Sequence, residues 1–319
     1  MSLSDKFWSD ARLTDCTLCP RLCHANRLEG QAGYCGRAAG LVIARAALHM
    51  WEEECISGVN GSGTVFFAGC NMGCIFCQNY KISRAGRAAV KPDCQRAADG
   101  RIGTEVTAGR LAEIFLELEG QGANNINLVT PTHYVPQITE ALDIAKRKGM
   151  KLPVVYNTSG YERAETIRML RGYVDIYLPD LKYMDAGLAA EYSGAPDYPW
   201  YAKKALEEMY LQTGDFHIDE DTGLMTKGVL VRHLVLPGHV RDSKEVIRYL
   251  YETYGNSIMI SIMNQYTPMP QVKGHKHLGR RVTRREYEKA VDYALGLGVE
   301  FGYIQEGEAA LESFIPEFK

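Results

Sequence analysis

The sequence of 319 residues lacks the features that mark several protein classes. Its longest mostly apolar runs, at 64–68 and 228–237, are far shorter than the roughly 20 residues that span a bilayer. The first 15 residues are polar and of mixed charge, without the apolar stretch of a secretory signal. A net charge of −3 gives no basic excess, which disfavours nucleic-acid binding. We therefore expect a cytoplasmic protein with no membrane partner.

Cysteine is absent after residue 94, and seven of the nine cysteines lie in two tight clusters. A secreted disulfide-bonded protein is usually short or spreads its cysteines along the chain. Clustered thiols in a reducing compartment indicate metal binding instead. The nine cysteines are at positions 16, 19, 23, 35, 55, 70, 74, 77 and 94.

After residue 60, short apolar runs alternate with helical patterns, and no internal repeat is present. Behind a candidate N-cap at Thr107, for example, the apolar residues Leu111, Ile114, Phe115 and Leu118 follow helical spacing. Alternating strands and helices predict right-handed βαβ units around a parallel sheet. The predicted strands are 64–68, 126–129, 153–156, 174–178, 229–236 and 258–263, with a seventh candidate at 299–304.

Six of these runs stop at polar or Gly/Pro residues. Ordinary strand-to-helix turns favour such residues too. In a β/α barrel, however, the loops after the strands converge on one face and form one site. We predict an α/β fold with a partial TIM-type (β/α)6 barrel over 61–319. Residues 1–60 are predicted to form a small Cys-rich lobe stapled by metal, and 84–106 a long irregular loop.

The strongest motif is Cys70-x3-Cys74-x2-Cys77, directly after the first predicted strand. Three closely spaced thiolates can hold three irons of a [4Fe–4S] cluster and leave the fourth iron open to a small molecule. A structural zinc site would need a fourth Cys or His nearby, and the next residues, Gln78, Asn79 and Tyr80, supply none. The motif therefore favours the cluster.

This motif resembles that of the radical S-adenosylmethionine (SAM) superfamily, and the chain is most similar to the branch related to pyruvate formate-lyase activating enzyme. The resemblance implies that SAM binds the open iron and is cleaved reductively to a 5′-deoxyadenosyl radical, which abstracts hydrogen from a substrate. The resemblance covers nearly the whole chain. Its landmarks are 16–23 (CTLCPRLC), 61–64 (GSGT), 77–80 (CQNY), 125–134 (NINLVTPTHY), 156–161 (YNTSGY), 178–182 (LPDLK) and 265–268 (QYTP).

The resemblance also implies residues that hold SAM. Asn157, Thr158 and Ser159 stand where the activating enzymes have an Asp-Thr-Asn-Gly turn. Asp180 and Lys182 match their Asp-Leu-Lys, and Lys182 is expected to pair with the SAM carboxylate. Because Asn157 replaces an aspartate, a cation site shared with Asp180 is weakened.

The superfamily's Gly-Gly-Glu segment, which receives the SAM amino group, is missing, since the chain has no Gly-Gly dipeptide. Thr130, Thr132 and His133 lie at the corresponding position and are expected to contact SAM instead. His133 has a structural alternative, because a single histidine at a strand end is often structural. Arg232, within the fifth predicted strand, is a further candidate for the SAM site.

A second four-thiolate set is formed by Cys16, Cys19, Cys23 and Cys35. Four thiolates suit tetrahedral zinc and equally suit an auxiliary [4Fe–4S] cluster. Zinc is slightly favoured because Gly30, Gly33 and Gly36 let a small lobe wrap closely round one ion. Cys55 and Cys94 are isolated and are expected to be plain thiols.

These patterns predict a radical SAM enzyme that acts on a protein, a peptide or a small molecule, with activation of a glycyl-radical enzyme among the possibilities. Its expected partners are SAM and an electron donor such as flavodoxin or ferredoxin. The alternatives are an iron–sulfur electron carrier and a zinc-stapled binding module without catalysis. No residue is assigned as a proton donor or radical relay.

Overall fold

The computed structural model describes residues 11–84 and 102–304. Cys94 and most of the predicted 84–106 loop lie outside these ranges. The described strands are β1 (Leu41–His49), β2 (Ser62–Phe67), β3 (Thr104–Val106), β4 (Ile126–Val129), β5 (Val154–Thr158), β6 (Ile176–Pro179), β7 (His217–Ile218), β8 (Met225–Leu234), β9 (Met259–Met263) and β10 (Gly302–Ile304).

These strands form one curved sheet in the order β10-β9-β8-β6-β5-β4-β2-β1-β3, with β7 paired to β8 off this path. From β2 to β10 along the path the strands are parallel, whereas β1 and β3 add an antiparallel edge. The predicted α/β fold with a partial β/α barrel is confirmed. All six predicted strands form, and so does the seventh candidate, as β10.

Helices follow most of the parallel strands. In the described ranges the α-helices are α1 (Glu54–Ser57), α2 (Tyr80–Ser83), α3 (Ala108–Gly120), α4 (Val135–Arg147), α5 (Ala164–Arg168), α6 (Ala186–Ser193), α7 (Tyr198–Thr213), α8 (Val240–Tyr254) and α9 (Arg284–Leu297). As predicted, Thr107 caps α3 by accepting a hydrogen bond from the Arg110 N–H. None of the described helices has the length and apolar character needed to cross a membrane.

Strand β1 was not predicted from the sequence. Only its first three residues are fully buried, and the rest of the strand is partly exposed, so the strand carries no clear period-two pattern. The chain then turns inward through α1, where Cys55 and Ile56 pack against Val155, Ile176 and Leu230 in the barrel interior. Residues before position 60 therefore contribute to both the sheet edge and its core. The division into domains at residue 60 stays a prediction.

Candidate active site

A cavity of about 1090 Å³ extends through the barrel and includes the carboxyl ends of the parallel strands. These ends meet on one face because neighbouring strands run in the same direction. The structure brings most of the predicted site residues onto its wall: Cys70, Cys74, Cys77, Thr130, Asn157, Thr158, Ser159, Asp180, Lys182 and Arg232. Thr132 and His133 are buried behind this wall.

The three cysteines lie on the loop after β2, and each sulfur has a hydrogen-bonding neighbour. The Met72 N–H donates to Cys70 Sγ at 3.4 Å, and the Ser193 hydroxyl donates to Cys74 Sγ at 3.0 Å. Ser83 Oγ lies 3.4 Å from Cys77 Sγ. Donors directed at sulfur favour the charged thiolate, which is the form that binds iron.

The surroundings of Cys77 shift its pKa in opposite directions. Burial and the neighbouring Cys74 raise the pKa of Cys77, while the Lys182 ammonium works in the opposite direction. In residues 11–84 and 102–304, no group of three or more His, Cys, Asp or Glu side chains is arranged to hold a metal ion as it stands. The donor set, three thiols with a cation and hydroxyls beside them, nevertheless fits three irons of a [4Fe–4S] cluster.

Arg232 is the centre of a nearly buried ion network beside the cysteine loop. Its Nε lies 3.1 Å from Asp180 Oδ1, and its Nη1 lies 2.9 Å from Glu52 Oε2. Nη2 donates to Asn157 Oδ1 at 2.6 Å, and Asn157 donates in turn to Glu52 at 3.2 Å. Burial raises the pKa of Glu52 against the attraction of Arg232. The network joins β5, β6, β8 and the segment after β1.

Glu52 was not predicted from the sequence. The available signal was the run Glu52, Glu53 and Glu54, three carboxylates in a row shortly after β1. The sequence did not show that this segment turns into the barrel or that its partner lies 180 residues away.

Lys182 and Asp180 form a third ion pair in the same network, with Nζ 2.6 Å from Oδ2. Burial works against the charge of Asp180, but Lys182 and Arg232 together lower its pKa. The Tyr198 hydroxyl accepts the Lys182 N–H at 3.0 Å and lies 2.9 Å from the Ser159 carbonyl, so it ties the ends of β5 and β6 together. Residue 160 must be glycine, because its φ is +78° and a Cβ would lie 2.2 Å from the Asp180 carbonyl oxygen.

Behind the cavity wall, the buried Glu162 organises the ends of β4 and β5. Its carboxylate accepts hydrogen bonds of 2.5 Å from both the Thr132 and the Thr158 hydroxyl. Burial raises the pKa of Glu162 to about 7. The two threonines were predicted to contact SAM, whereas Glu162 was not predicted; its available signal was a charged residue shortly after β5.

His133 lies in the same buried layer. Its Nε2 is 2.9 Å from the Ala68 carbonyl, just before the cysteine loop, and its own carbonyl accepts from the buried Arg27 at 2.6 Å. These contacts connect the end of β2, the segment after β4 and the N-terminal region.

The four N-terminal cysteines converge beside the cysteine loop. Cys16 and Cys23 share a hydrogen bond, which raises the pKa of Cys16 and lowers that of Cys23. A Cβ at Gly33 would lie 2.9 Å from Cys23 Sγ and 3.8 Å from Cys35 Sγ. Cys16, Cys19 and Cys23 each accept a hydrogen bond at sulfur from the backbone N–H two residues later in the sequence, at 18, 21 and 25 respectively.

The Glu162→Gln variant should change the pH dependence of stability. The carboxyl group loses its proton near its ordinary pKa of 4.5 in the unfolded chain but near 7 in the folded protein. Folding therefore becomes less favourable as the pH rises through this window, and glutamine removes that loss. When the pH rises from about 5 to about 8, the unfolding free energy of Glu162→Gln should increase by about 1–3 kcal/mol relative to that of wild type.

Urea unfolding at the two pH values measures this difference. Glu165→Gln, a half-exposed neighbour on α5, is the control and should show no such gain. If the unfolding free energies of wild type and Glu162→Gln differed by the same amount at both pH values, this would contradict a buried carboxyl group that binds a proton in this range.

Comparison with known proteins supplies the family. The chain is 28% identical over 285 residues to an uncharacterised protein of Methanocaldococcus jannaschii, covering 88% of this chain and 74% of that protein. It is also similar to SuiB of Streptococcus suis bound to precursor peptide SuiA, with a TM-score of 0.45 and 14% identity over 74% of this chain and 46% of SuiB. A third likeness is to native anSMEcpe with bound AdoMet, with a TM-score of 0.47 and 13% identity over 72% of this chain and 57% of that one.

The chain thus spans about half the length of these two solved structures. The model of the radical SAM superfamily matches residues 64–250, from β2 to α8. This stretch contains the three cysteines of the loop and most of the cavity wall. Because the match takes in more than half of the chain, the protein belongs to the radical SAM superfamily.

Proposed function

We propose that the protein binds SAM in the barrel cavity, next to a [4Fe–4S] cluster held by Cys70, Cys74 and Cys77, and removes a hydrogen atom from a second reactant. When bound, the cluster supplies the electron that cleaves SAM. The observation that carries the proposal is the common position of the three thiols and Lys182 on one cavity wall. The chain's own residues position SAM and separate the reacting groups from water.

Lys182 is proposed to bind the SAM carboxylate. An ammonium group has three donors, and Asp180 accepts one of them. Asp180 raises the pKa of Lys182 although burial works against it, so the charge persists. Thr130, Asn157, Thr158 and Ser159 are proposed to contact SAM from the neighbouring strand ends. Arg232 uses each of its three nitrogens on Asp180, Glu52 and Asn157, so we assign it to holding these residues in place.

The cavity offers room for a second reactant beside SAM. Its volume of about 1090 Å³ slightly exceeds the roughly 300–1,000 Å³ typical of small-molecule pockets. Met50, Trp51 and Val59 are exposed but line the opposite end of the cavity, beside the start of β2. We propose a peptide or protein segment as the second reactant, and the resemblance extends this to a glycyl-radical enzyme. We place the reaction in the cytoplasm, with flavodoxin or ferredoxin as the electron donor.

The Lys182→Met variant tests the SAM site. Loss of a charge-assisted contact should weaken SAM binding by about 1–3 kcal/mol, measured by equilibrium dialysis with the reconstituted protein. Lys182→Arg keeps the charge and should recover part of the affinity. Lys204→Met, which removes an exposed ion pair on α7, is the control and should bind like wild type. Equal affinity of Lys182→Met and wild type would remove Lys182 from the site.

We further propose a second metal centre at Cys16, Cys19, Cys23 and Cys35. Three of the four sulfurs accept backbone N–H groups, which favour the thiolate, while the Cys23 hydrogen bond and burial raise the pKa of Cys16 and burial raises the pKa of Cys19 to about 12. A Cβ at position 33 would lie only 2.9 Å from Cys23 Sγ, so glycine lets the lobe wrap closely, which suits one zinc ion. An auxiliary [4Fe–4S] cluster is the alternative for the same four thiolates.

Metal analysis of two single variants separates the centres. We expect about four irons and about one zinc per wild-type chain. Cys74→Ala should lose the iron and the SAM cleavage activity but keep the zinc, whereas Cys19→Ala should lose the zinc and keep the iron. Cys55→Ala, a buried cysteine outside both groups, should keep both metals. Iron in place of zinc would favour the auxiliary cluster, and loss of both metals from both variants would contradict two separate centres.

A further inference from the structure

A strongly basic segment follows β9, on the face of the barrel that carries the cysteine loop. Residues 273–285, here called the basic loop, contain six Lys and Arg residues and no Asp or Glu, in a chain whose net charge is −3. The six are Lys273, Lys276, Arg280, Arg281, Arg284 and Arg285, and all six are exposed. So dense a group of like charges calls for an explanation, because its members repel one another.

Only part of this charge is neutralised locally. Arg280 pairs with Glu286 at 2.7 Å, and Arg284 pairs with Glu288 at 2.6 Å. Within the part of the chain that the structure describes, the other four cations form no ion pair. The basic loop therefore presents an excess of positive charge to an approaching partner.

The basic loop is attached to the cysteine loop at several points. Gln271, two residues before Lys273, donates to the Cys77 carbonyl at 3.3 Å. The Tyr266 hydroxyl donates to the Leu278 carbonyl at 2.6 Å, and its ring centroid lies 6.0 Å from that of Phe76. The positive surface is thus held next to the proposed cluster ligand Cys77.

A third contact runs through Tyr192. The ring of His275 lies 5.4 Å from that of Tyr192, whose carbonyl accepts the Ile75 N–H at 2.8 Å. Ile75 lies between Cys74 and Cys77. A molecule on the basic loop would therefore lie close to the cysteine loop without entering the barrel cavity.

We infer that the basic loop is the docking surface for an acidic one-electron carrier protein that reduces the cluster at Cys70, Cys74 and Cys77. The inference rests on the proposed function, since it gives the electron donor its place. The carrier loses one electron and the cluster gains it, and no bond or proton is transferred. Opposite charges bring the two proteins together and fix their orientation.

A protein carrier fits this surface better than a nucleic acid does. Nucleic-acid binding depends on Lys and Arg contacts to phosphates that repeat along the nucleic-acid backbone. The basic loop has four unpaired cations in a short segment beside a redox site, and the chain as a whole is acidic. A compact patch of this size matches the small interface of a transient electron-transfer complex.

The test compares two triple variants of the full-length reconstituted protein. Lys273→Gln/Lys276→Gln/Arg281→Gln removes charge from the basic loop. Arg147→Gln/Lys148→Gln/Lys151→Gln removes the same number of lysines and arginines between α4 and β5, at the opposite ends of the strands. These three control residues are also exposed.

Calorimetric titration with an acidic flavodoxin as the probe measures binding directly. At low salt we expect the basic-loop variant to bind about tenfold more weakly than wild type, and the control variant to bind like wild type. The difference should shrink in about 1 M salt, where charges are screened beyond roughly 3 Å. SAM cleavage driven by dithionite, a small reductant that needs no docking surface, should be the same in all three proteins.

Equal flavodoxin affinity for the two triple variants would overturn the inference. It would also be overturned if the basic-loop variant lost affinity for a single-stranded oligonucleotide while keeping its affinity for flavodoxin. Failure of wild type to cleave SAM with dithionite would overturn the proposed function instead, and the calorimetric result separates the two failures.

Discussion

The Arg232 guanidinium is the interaction on which the architecture of the site depends. It bonds Asp180, Glu52 and Asn157, and so joins the ends of β5 and β6 to the segment after β1. A nearly buried arginine without these partners would leave an uncompensated charge, which is strongly destabilising. The same contacts hold Asp180 against Lys182, which brings the ammonium group to the cavity wall beside the cysteines.

A second constraint ties the N-terminal cysteines to the cysteine loop. Arg21 donates to the Asn71 carbonyl at 2.8 Å and to the Gly194 carbonyl at 2.6 Å. At Gly69 a Cβ would lie 2.8 Å from the Cys35 carbonyl oxygen. The two segments of the chain can therefore approach so closely only because residue 69 is glycine. Binding of a metal by the N-terminal thiols would therefore stabilise the loop that carries Cys70.

Sequence patterns predicted the parallel strands and the cysteine loop because both signals are local. Apolar runs mark buried strands, and the spacing of Cys70, Cys74 and Cys77 is visible in a few residues. Strand β1 escaped prediction because most of it is partly exposed. Glu52 and Glu162 escaped because their roles depend on partners that only the folded chain brings near, such as the Thr132 and Thr158 hydroxyls that donate to Glu162.

The central claim is that the Cys70, Cys74 and Cys77 loop holds a [4Fe–4S] cluster with one iron open to SAM. The most direct test is electron paramagnetic resonance of the anaerobically purified, dithionite-reduced protein, with and without SAM. We expect the signal of a reduced [4Fe–4S] cluster that shifts when SAM is added. A signal that SAM leaves unchanged, or no cluster signal after reconstitution, would contradict it.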